Sequence, residues 1–405
     1  MPVGLSPPSR LFPVAGIRLA STSAGIYSSE RADVMLIALD ESSTVSAVFT
    51  NNAFAAAPVF VARNHLRNKP RYFLVNAGNA NAGTGETGIN HALETCNKVA
   101  MTAGCRAEQV LPFSTGVIGE YLPVEKICSV IPDLYANLSE DNWMQCANAI
   151  MTTDSLPKGV SRKIDVDGIT VTITGIAKGA GMIRPDMATM LAFVAIDANI
   201  QQDVLDKMVK NAVNKSFNRI CIDGDTSTND ACVVMASAKS VMRMITDCES
   251  EQGQKVQNVL NEVCVSLAQS IIRDGEGATK FITVSVEKGR NSQECLAVAY
   301  TIATSPLVKT AFFASDPNWG RILAAVGRSG IRDLDIEHIS IYLNNKAIVT
   351  KGSRDSRYTE EQGQKIMSGT DIHVRVVLNR GACSEKLWTS DLSVEYVRIN
   401  AEYRS

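Results

Sequence analysis

The sequence has few of the residues that mark metalloproteins, secreted proteins and membrane proteins. Only four of its 405 residues are histidines, and none stands at the spacing of a metal site. The ten cysteines form no Cys-x-x-Cys pair and predict small, buried thiols. No apolar run is long enough for a signal peptide or a membrane span. We therefore expect a cytoplasmic protein that binds neither a metal ion nor a membrane.

An excess of charge of one sign is also lacking. The chain carries 40 Lys and Arg against 42 Asp and Glu, and its formal net charge is −2. The basic residues form no run interleaved with aromatic residues, so we expect no nucleic-acid partner. What is present is a hydrophobic fraction of 45%, which is typical of a folded globular protein.

Strand-like and helical patterns alternate along the chain and predict a mixed α/β architecture. Residues 34–39 are predicted to form a strand, and residues 124–136 a helix. A hairpin is predicted to turn at Asp167-Gly168, a pair that favours tight turns between strands. Near the end of the chain, residues 396–399 are predicted to form a strand.

A helix is predicted after Pro185, because apolar residues recur there with helical spacing. On this helix one face would carry Met187, Met190, Leu191 and Val194. The helix would follow a glycine-dense turn over residues 175–182.

Two loops invite functional interpretations that their residues support poorly. The turn that begins at Asn76 is rich in glycine and asparagine, but it lacks the Lys-Ser/Thr ending of a phosphate-binding loop. The acidic stretch 223–230 suggests a calcium loop, yet Thr228 and Val234 stand where an EF-hand needs glycine and glutamate. Both are interpreted as turns.

The densest group of chemically notable residues lies at 178–190 and includes Thr189. A nucleophilic threonine needs a base, and no histidine is at hand. An N-terminal threonine supplies its own base, because an α-amine has a pKa of about 7.7–8.0. This hypothesis requires cleavage of the Ala188–Thr189 bond. The structural alternative is that the Thr189 hydroxyl bonds to a carbonyl one helical turn back.

Residues 175–191 closely resemble the self-processing signature of the bacterial glutamate N-acetyltransferases, also called ornithine acetyltransferases. The stretch 112–119 resembles the oxyanion-hole segment of that family. Further blocks resemble the family in the same order along the chain: 149–154 with Pro157 and Lys158, 223–230, 274–280, 305–310, 316–318 and 396–405. The resemblance therefore extends over nearly the whole chain.

The resemblance implies a role for each matching residue. Thr189 would be the nucleophile and the new N-terminus after cleavage between Ala188 and Thr189. Thr115 and Gly116 would form the oxyanion hole. The substrate contacts, besides Thr189, would be Thr152, Lys178, Glu276, Asn400 and Ser405. Departures from the family pattern are Ala180, Arg184, Asp186 and the terminal serine.

The resemblance also implies the architecture and the reaction. The fold would be a layered αββα sandwich, shared by an α chain of residues 1–188 and a β chain of residues 189–405, paired further into an α2β2 heterotetramer. The enzyme would move acetyl groups from N2-acetylornithine to glutamate by a ping-pong mechanism in arginine biosynthesis, without a cofactor. From the charges of the residues themselves, we hypothesise that Lys178 pairs with a substrate carboxylate and Glu276 with an ammonium group. The structural alternative for both is an ordinary solvated side chain.

Three alternatives stay open on the sequence. The enzyme would also accept acetyl-CoA as a substrate, as some relatives do. It would instead be an amidohydrolase or aminopeptidase, if water reaches the acyl-threonine. The third alternative is a binding protein in which Thr189 is inert.

Overall fold

Strands and helices alternate along the chain in a computed structural model, which describes residues 2–184 and 190–402. The strands are β1 (Ile17–Thr22), β2 (Val34–Leu39), β3 (Thr44–Phe49), β4 (Tyr72–Asn79), β5 (Val110–Val117), β6 (Lys158–Val166), β7 (Ile169–Lys178), β8 (Leu191–Ile196), β9 (Ile220–Cys221), β10 (Ala231–Ala236), β11 (Phe281–Gly289), β12 (Ser340–Leu343), β13 (Lys346–Thr350), β14 (Ser353–Arg354), β15 (Asp371–Val377) and β16 (Cys383–Ser390). The helices are α1 (Ala57–His65), α2 (Gly85–Ala103), α3 (Val124–Ala136), α4 (Trp143–Ala149), α5 (Gln202–Lys215), α6 (Glu251–Arg273), α7 (Ser292–Ala303), α8 (Pro306–Phe313), α9 (Trp319–Gly327), α10 (Glu360–Met367) and α11 (Val394–Glu402).

Two sheets stack face to face in the larger part of the molecule. The first has the strand order β1-β2-β4-β5, and the second has the order β3-β10-β8-β7-β6. Their inner faces share one apolar core, in which the ring of Phe113 lies 5.8 Å from that of Phe73 and 5.2 Å from that of Phe193. Phe73 and Phe113 belong to the first sheet and Phe193 to the second, so the rings interlock the two layers.

Helices cover both outer faces of this stack. Apolar residues of α2 and α3, such as Cys96 and Ile127, pack on the outer face of the first sheet. Those of α5 and α6, such as Met208 and Leu267, pack on the outer face of the second. The layers follow the order helix, sheet, sheet, helix, and the predicted αββα sandwich is confirmed.

A third sheet extends this sandwich, and the sequence analysis did not predict it. Its strand order is β14-β13-β12-β15-β11-β16-β9. Helices α7 to α10 contribute to the apolar core on one face. Strand β9 lies at the edge of this sheet, where Ile220 pairs with Trp388 of β16. The two strands are more than 160 residues apart in the sequence. This pairing connects the third sheet to the middle of the chain.

Two predicted elements are wrong, and one is confirmed in detail. Leu191–Ile196 is strand β8 instead of a helix, with every residue buried between β10 and β7. A short apolar run buried on both faces lacks the alternation by which strands are recognised. Tyr396 and its neighbours lie in helix α11, not in a strand. The predicted hairpin does turn at Asp167 and Gly168, whose φ angles of 55° and 81° suit a tight β-turn.

The cysteines behave as the sequence predicts. All ten are free, and six of them are buried. Burial raises the pKa of the Cys146 thiol to about 12 and that of Cys221 to about 11. These thiols are therefore protonated at neutral pH and act as small apolar side chains.

In the described part of the chain, no helix taken alone has both the length and the apolar character of a membrane span. Helices α7 and α8 taken together are long and apolar enough for a membrane span, but they are bent by 57° where they meet.

Candidate active site

A cavity of about 240 Å³ lies where the ends of several strands meet the loops that follow them. This volume corresponds to about eight water molecules at about 30 Å³ each, which suits an amino-acid-sized ligand. Its walls bring together the predicted site residues that the structure describes: Thr115, Gly116, Thr152, Lys178, Glu276 and Asn400. The other predicted site residues, Ala188, Thr189 and Ser405, lie outside the described residues.

The end of β5 presents Thr115 and Gly116 to this cavity. The Lys178 ammonium donates a hydrogen bond of 3.2 Å to Thr115 Oγ1. Because an ammonium group only donates, the Thr115 oxygen accepts, and its own proton is left to donate elsewhere. No acceptor for that proton occurs among the described residues. Thr115 can therefore donate to a ligand oxygen in the cavity.

Gly116 adopts a backbone conformation that other residues rarely reach. Its φ is 135°, and a Cβ atom would lie 2.3 Å from the carbonyl carbon of Gly78 and 2.5 Å from the nitrogen of Asn79. Both obstacles are backbone atoms of the neighbouring strand β4, which cannot swing aside as a side chain does. Glycine is therefore required for the close approach of β4 and β5 at the cavity wall.

Lys178 ends strand β7 and is only 3% exposed. Burial lowers the pKa of its ammonium group below that of an ordinary lysine, and the nearby Asp154 carboxylate opposes part of this effect. A buried cation at the cavity wall stabilises negative charge more strongly than a solvated lysine does.

Behind Lys178 lies a buried ionic triad of Lys158, Asp154 and Asp274. Lys158 Nζ is 2.6 Å from Asp154 Oδ1 and 2.6 Å from Asp274 Oδ2. Burial alone would raise the pKa of Asp154, but the ammonium groups of Lys158 and Lys178 hold it well below its usual range. The triad therefore pairs one buried lysine with two aspartates, and Lys178 lies close to one of them, Asp154.

The triad holds the loop that carries Thr152. Asp154 accepts hydrogen bonds from the backbone N–H groups of Thr152, at 3.0 Å, and Gly179, at 2.7 Å. Asp274 accepts from the N–H of Ser155 at 2.9 Å. The loop after α4 and the turn after β7 are thus fixed to the same carboxylates.

Glu276 and Asn400, which also line the cavity, form a hydrogen-bonded pair. Asn400 Nδ2 donates to Glu276 Oε2 at 2.8 Å, which connects helix α11 to the loop after α6. Gly181 faces this carboxylate so closely that a Cβ atom would lie 2.5 Å from Glu276 Cδ. Glu276 therefore has little room to move without leaving the cavity.

The acidic stretch before β10 binds backbone amides on both sides of the segment that holds Ala188 and Thr189. Asp223 accepts from the N–H of Met182 at 2.6 Å, and Asp230 accepts from that of Met190 at 3.1 Å. Burial raises the pKa of the Asp230 carboxyl well above its usual value. In residues 2–184 and 190–402, no His, Cys, Asp and Glu side chains are grouped as metal ligands would be. Capping of backbone amides is thus the observed use of this stretch.

Sequence reasoning missed most of these supporting residues. Asp154, Lys158 and Asp274 fall within the segments that resemble the family, but no role was predicted for them. The available signal was a lysine four residues after an aspartate in a mostly uncharged segment. A pattern of this kind does not reveal that both charges are buried.

Comparison with known proteins places this chain in a family. The sequence profile of the ArgJ family matches residues 18–405. The chain belongs to the ArgJ family. The resemblance found in the sequence and the prediction of an enzyme are thereby confirmed.

Members of the ArgJ family are similar to this chain over its full length. The "Arginine biosynthesis bifunctional protein ArgJ" of Pseudomonas fluorescens (strain Pf0-1) is 55% identical over 405 residues, which is 100% of both chains. The protein of that name from Methylococcus capsulatus is 56% identical over 396 residues, covering 98% of this chain and 97% of the relative. These matches support the conclusion that the chain is a bifunctional ArgJ family enzyme of arginine biosynthesis.

A solved ArgJ family structure is also similar. The crystal structure of the arginine biosynthesis bifunctional protein argJ from Bacillus halodurans has 40% sequence identity and a TM-score of 0.50. It covers 52% of this chain and 97% of its own chain.

Proposed function

We propose that this enzyme transfers the acetyl group of N2-acetylornithine to glutamate through an acetyl ester of Thr189. The Ala188–Thr189 bond is first cleaved, which frees the Thr189 α-amine as a base. The Thr189 hydroxyl then attacks the acetyl carbon, the amide C–N bond breaks, and the amine passes the proton to the departing ornithine. Glutamate's amine attacks the ester in the reverse sequence and leaves as N-acetylglutamate.

The observation that carries this proposal is the convergence of the predicted residues on one cavity. Thr115, Thr152 and Lys178 come from separate strands and loops, and Glu276 and Asn400 lie far along the chain, yet all line the same space. The cavity suits an amino acid in size, and it offers both an ammonium group and a carboxylate. The ammonium group of an acetylated diamino acid suits the Glu276 carboxylate, and its amide oxygen, on which negative charge develops during attack, suits the Lys178 ammonium group.

The geometry around Thr115 supports the oxyanion hole in particular. The Lys178 ammonium donates to one lone pair of Thr115 Oγ1, which leaves the hydroxyl proton able to donate to another acceptor. A positive charge beside that hydroxyl makes it a better donor and favours a developing oxyanion. We infer that Lys178 serves the acetyl oxygen, which modifies the expected pairing of Lys178 with a substrate carboxylate.

Strand order supports the proposal that both chains stay together after cleavage. In the second sheet, β8 and β10 follow residue 189 but lie between β3 and β7, which precede it. Separating the two parts would break two strand pairings in one buried sheet, β3 with β10 and β7 with β8.

The test is the Thr189→Ala variant, with Thr189→Ser as its conservative control. We expect Thr189→Ala to run as one band of 43.6 kDa in denaturing electrophoresis and to transfer no acetyl group from N2-acetylornithine to glutamate. Thr189→Ser keeps a hydroxyl and should give two bands and measurable transfer. Two bands with retained transfer in Thr189→Ala would contradict the proposal. Omitting glutamate separates transfer from hydrolysis, since a hydrolase releases ornithine without an acceptor.

A further inference from the structure

One carboxylate oxygen beside the proposed cleavage site is buried without a partner. Asp230 is 1% exposed, and its Oδ1 accepts a hydrogen bond from the N–H of Met190 at 3.1 Å. Its Oδ2 is shielded from solvent and has no hydrogen-bond partner among the described residues. An unsatisfied buried acceptor destabilises a fold, so an oxygen of this kind calls for a partner that is present at another stage.

The surroundings of Asp230 supply no counter-charge in contact with it. Lys178 is a nearby cation, but its ammonium bonds to Thr115 Oγ1 and forms no ion pair with Asp230 in the described part of the chain. The Thr50 hydroxyl is also near and donates to the carbonyl of Ser227 at 2.7 Å. Burial therefore raises the pKa of the Asp230 carboxyl well above its usual value, which favours the neutral form as long as no cation lies closer.

Cleavage between residues 188 and 189 would create a cation close to this carboxyl group. The nitrogen of residue 189 is an amide in the uncut chain and becomes an α-amine in the cut one. Three covalent bonds of about 1.3–1.5 Å join it to the Met190 nitrogen, so the two nitrogens are at most about 4 Å apart. Because Met190 donates to Asp230 Oδ1 at 3.1 Å, the new amine is within about 7 Å of that oxygen whatever the conformation of residue 189.

We propose that Asp230 is a positioning residue for the α-amine of Thr189, and that its Oδ2 accepts a hydrogen bond from this amine once the chain is cut. Because it needs Thr189 as the new N-terminus, this role rests on the proposed function. The hydrogen bond uses an N–H of the amine and leaves the lone pair free to take the hydroxyl proton. When the amine has taken that proton, the Asp230 carboxylate is the counter-ion of the ammonium group.

The Asp230→Asn variant removes the charge and keeps the shape. Its amide oxygen can still accept from the Met190 N–H, and the amide is neutral, as the carboxyl group is in the uncut chain. We therefore expect the variant to be cut into two chains with a urea midpoint close to that of wild type. Its kcat for acetyl transfer to glutamate should fall at least about tenfold, while KM for N2-acetylornithine stays within about twofold, because the residues that line the cavity are unchanged.

The pH profile separates this role from a purely structural one. A nearby carboxylate raises the pKa of an amine by about 1–3 units, and the amine must be unprotonated to act as a base. The low-pH limb of kcat/KM should therefore move to lower pH by at least about one unit in Asp230→Asn.

The matched control is Asp197→Asn. Asp197 is also buried, burial raises its pKa, and it accepts from the Thr172 N–H at 2.9 Å, but it follows the far end of β8, about 20 Å along the strand. This variant should be cut and should keep the low-pH limb of wild type.

A second measurement does not depend on the folding of Asp230→Asn. In ¹³C NMR with labelled aspartate carboxyl groups, the uncut Thr189→Ala protein should show a neutral carboxyl group at neutral pH that the cut wild type lacks, because only cleavage supplies the counter-ion. Equal spectra, an unshifted low-pH limb or an uncut Asp230→Asn protein would overturn the role of Asp230 and leave the proposed function standing. Acetyl transfer by Thr189→Ala would instead refute the proposed function itself.

Discussion

Removing the Asp154 carboxylate should destabilise both the fold and the site. Its partners all donate: Lys158 Nζ at 2.6 Å and the N–H groups of Gly179, at 2.7 Å, and Thr152, at 3.0 Å. Asp154→Ala leaves these donors buried without that acceptor. Asp154→Asn does not restore the contacts, because its NH2 group must face one of the donors. Breaking a buried ion pair costs about 3–5 kcal/mol, a large part of a typical stability of 5–15 kcal/mol.

The assay is urea unfolding at pH 7 and at lower pH, with Asp133→Ala as control because Asp133 is exposed on α3. The pKa of Asp154 is lower in the folded protein than in the unfolded chain, where it is about 3.9. The carboxylate therefore contributes fully to the free energy of unfolding above that pH, and this contribution declines as the pH falls toward the pKa of the folded state. The difference between Asp154→Ala and wild type should therefore shrink below about pH 4. Asp133→Ala should change stability by less than about 0.5 kcal/mol. Equal unfolding midpoints of Asp154→Ala and wild type at pH 7 would refute this reasoning.

Three further substitutions probe the cavity wall. Gly181→Ala places a Cβ atom against the Glu276 carboxylate. We therefore expect KM for N2-acetylornithine to rise about tenfold while the urea midpoint stays unchanged. An unchanged KM would contradict this contact. Gly116→Ala meets the Gly78 backbone and should lower the urea midpoint and abolish transfer, and a stable, active variant would contradict the close approach. Burial lowers the pKa of Lys178, so kcat/KM should begin to fall at a pH below about 10.4, where an ordinary lysine loses its proton. Lys178→Arg should move this fall to higher pH, because a guanidinium group keeps its proton.

The sequence predicted those elements whose signal is local. Helix α3 was predicted with the bounds that the structure has, and the hairpin between β6 and β7 turns at the predicted residues. Strand β8 was misread because all six of its residues are buried and apolar, which leaves no alternation. The third sheet was not predicted as a unit because strands such as β9 and β16 pair although more than 160 residues separate them in the sequence. Such pairings leave no trace in local periodicity.

For the site, too, the sequence predicted some features, and only the structure shows the others. Its cavity residues were predicted from a resemblance, and the structure adds that Thr115, Lys178 and Glu276 line one space. Residue types alone would have favoured a solvated lysine at position 178, whereas Lys178 is 3% exposed. A lysine is buried only where charges and acceptors compensate it. Those acceptors come from distant parts of the chain, so the sequence did not identify them.

Acidic residues anchor the described backbone on both sides of the proposed cleavage site. Met182 and Met190 lie on either side of the proposed cleavage site, and Asp223 and Asp230 bind their backbone N–H groups. Met190 is further fixed because its carbonyl accepts from the N–H of Ala231 at 3.1 Å. The residue before Met190 is tied to this fixed backbone by a single peptide bond. Cleavage between residues 188 and 189 would leave both of these anchors intact, because neither hydrogen bond involves the bond that is cut.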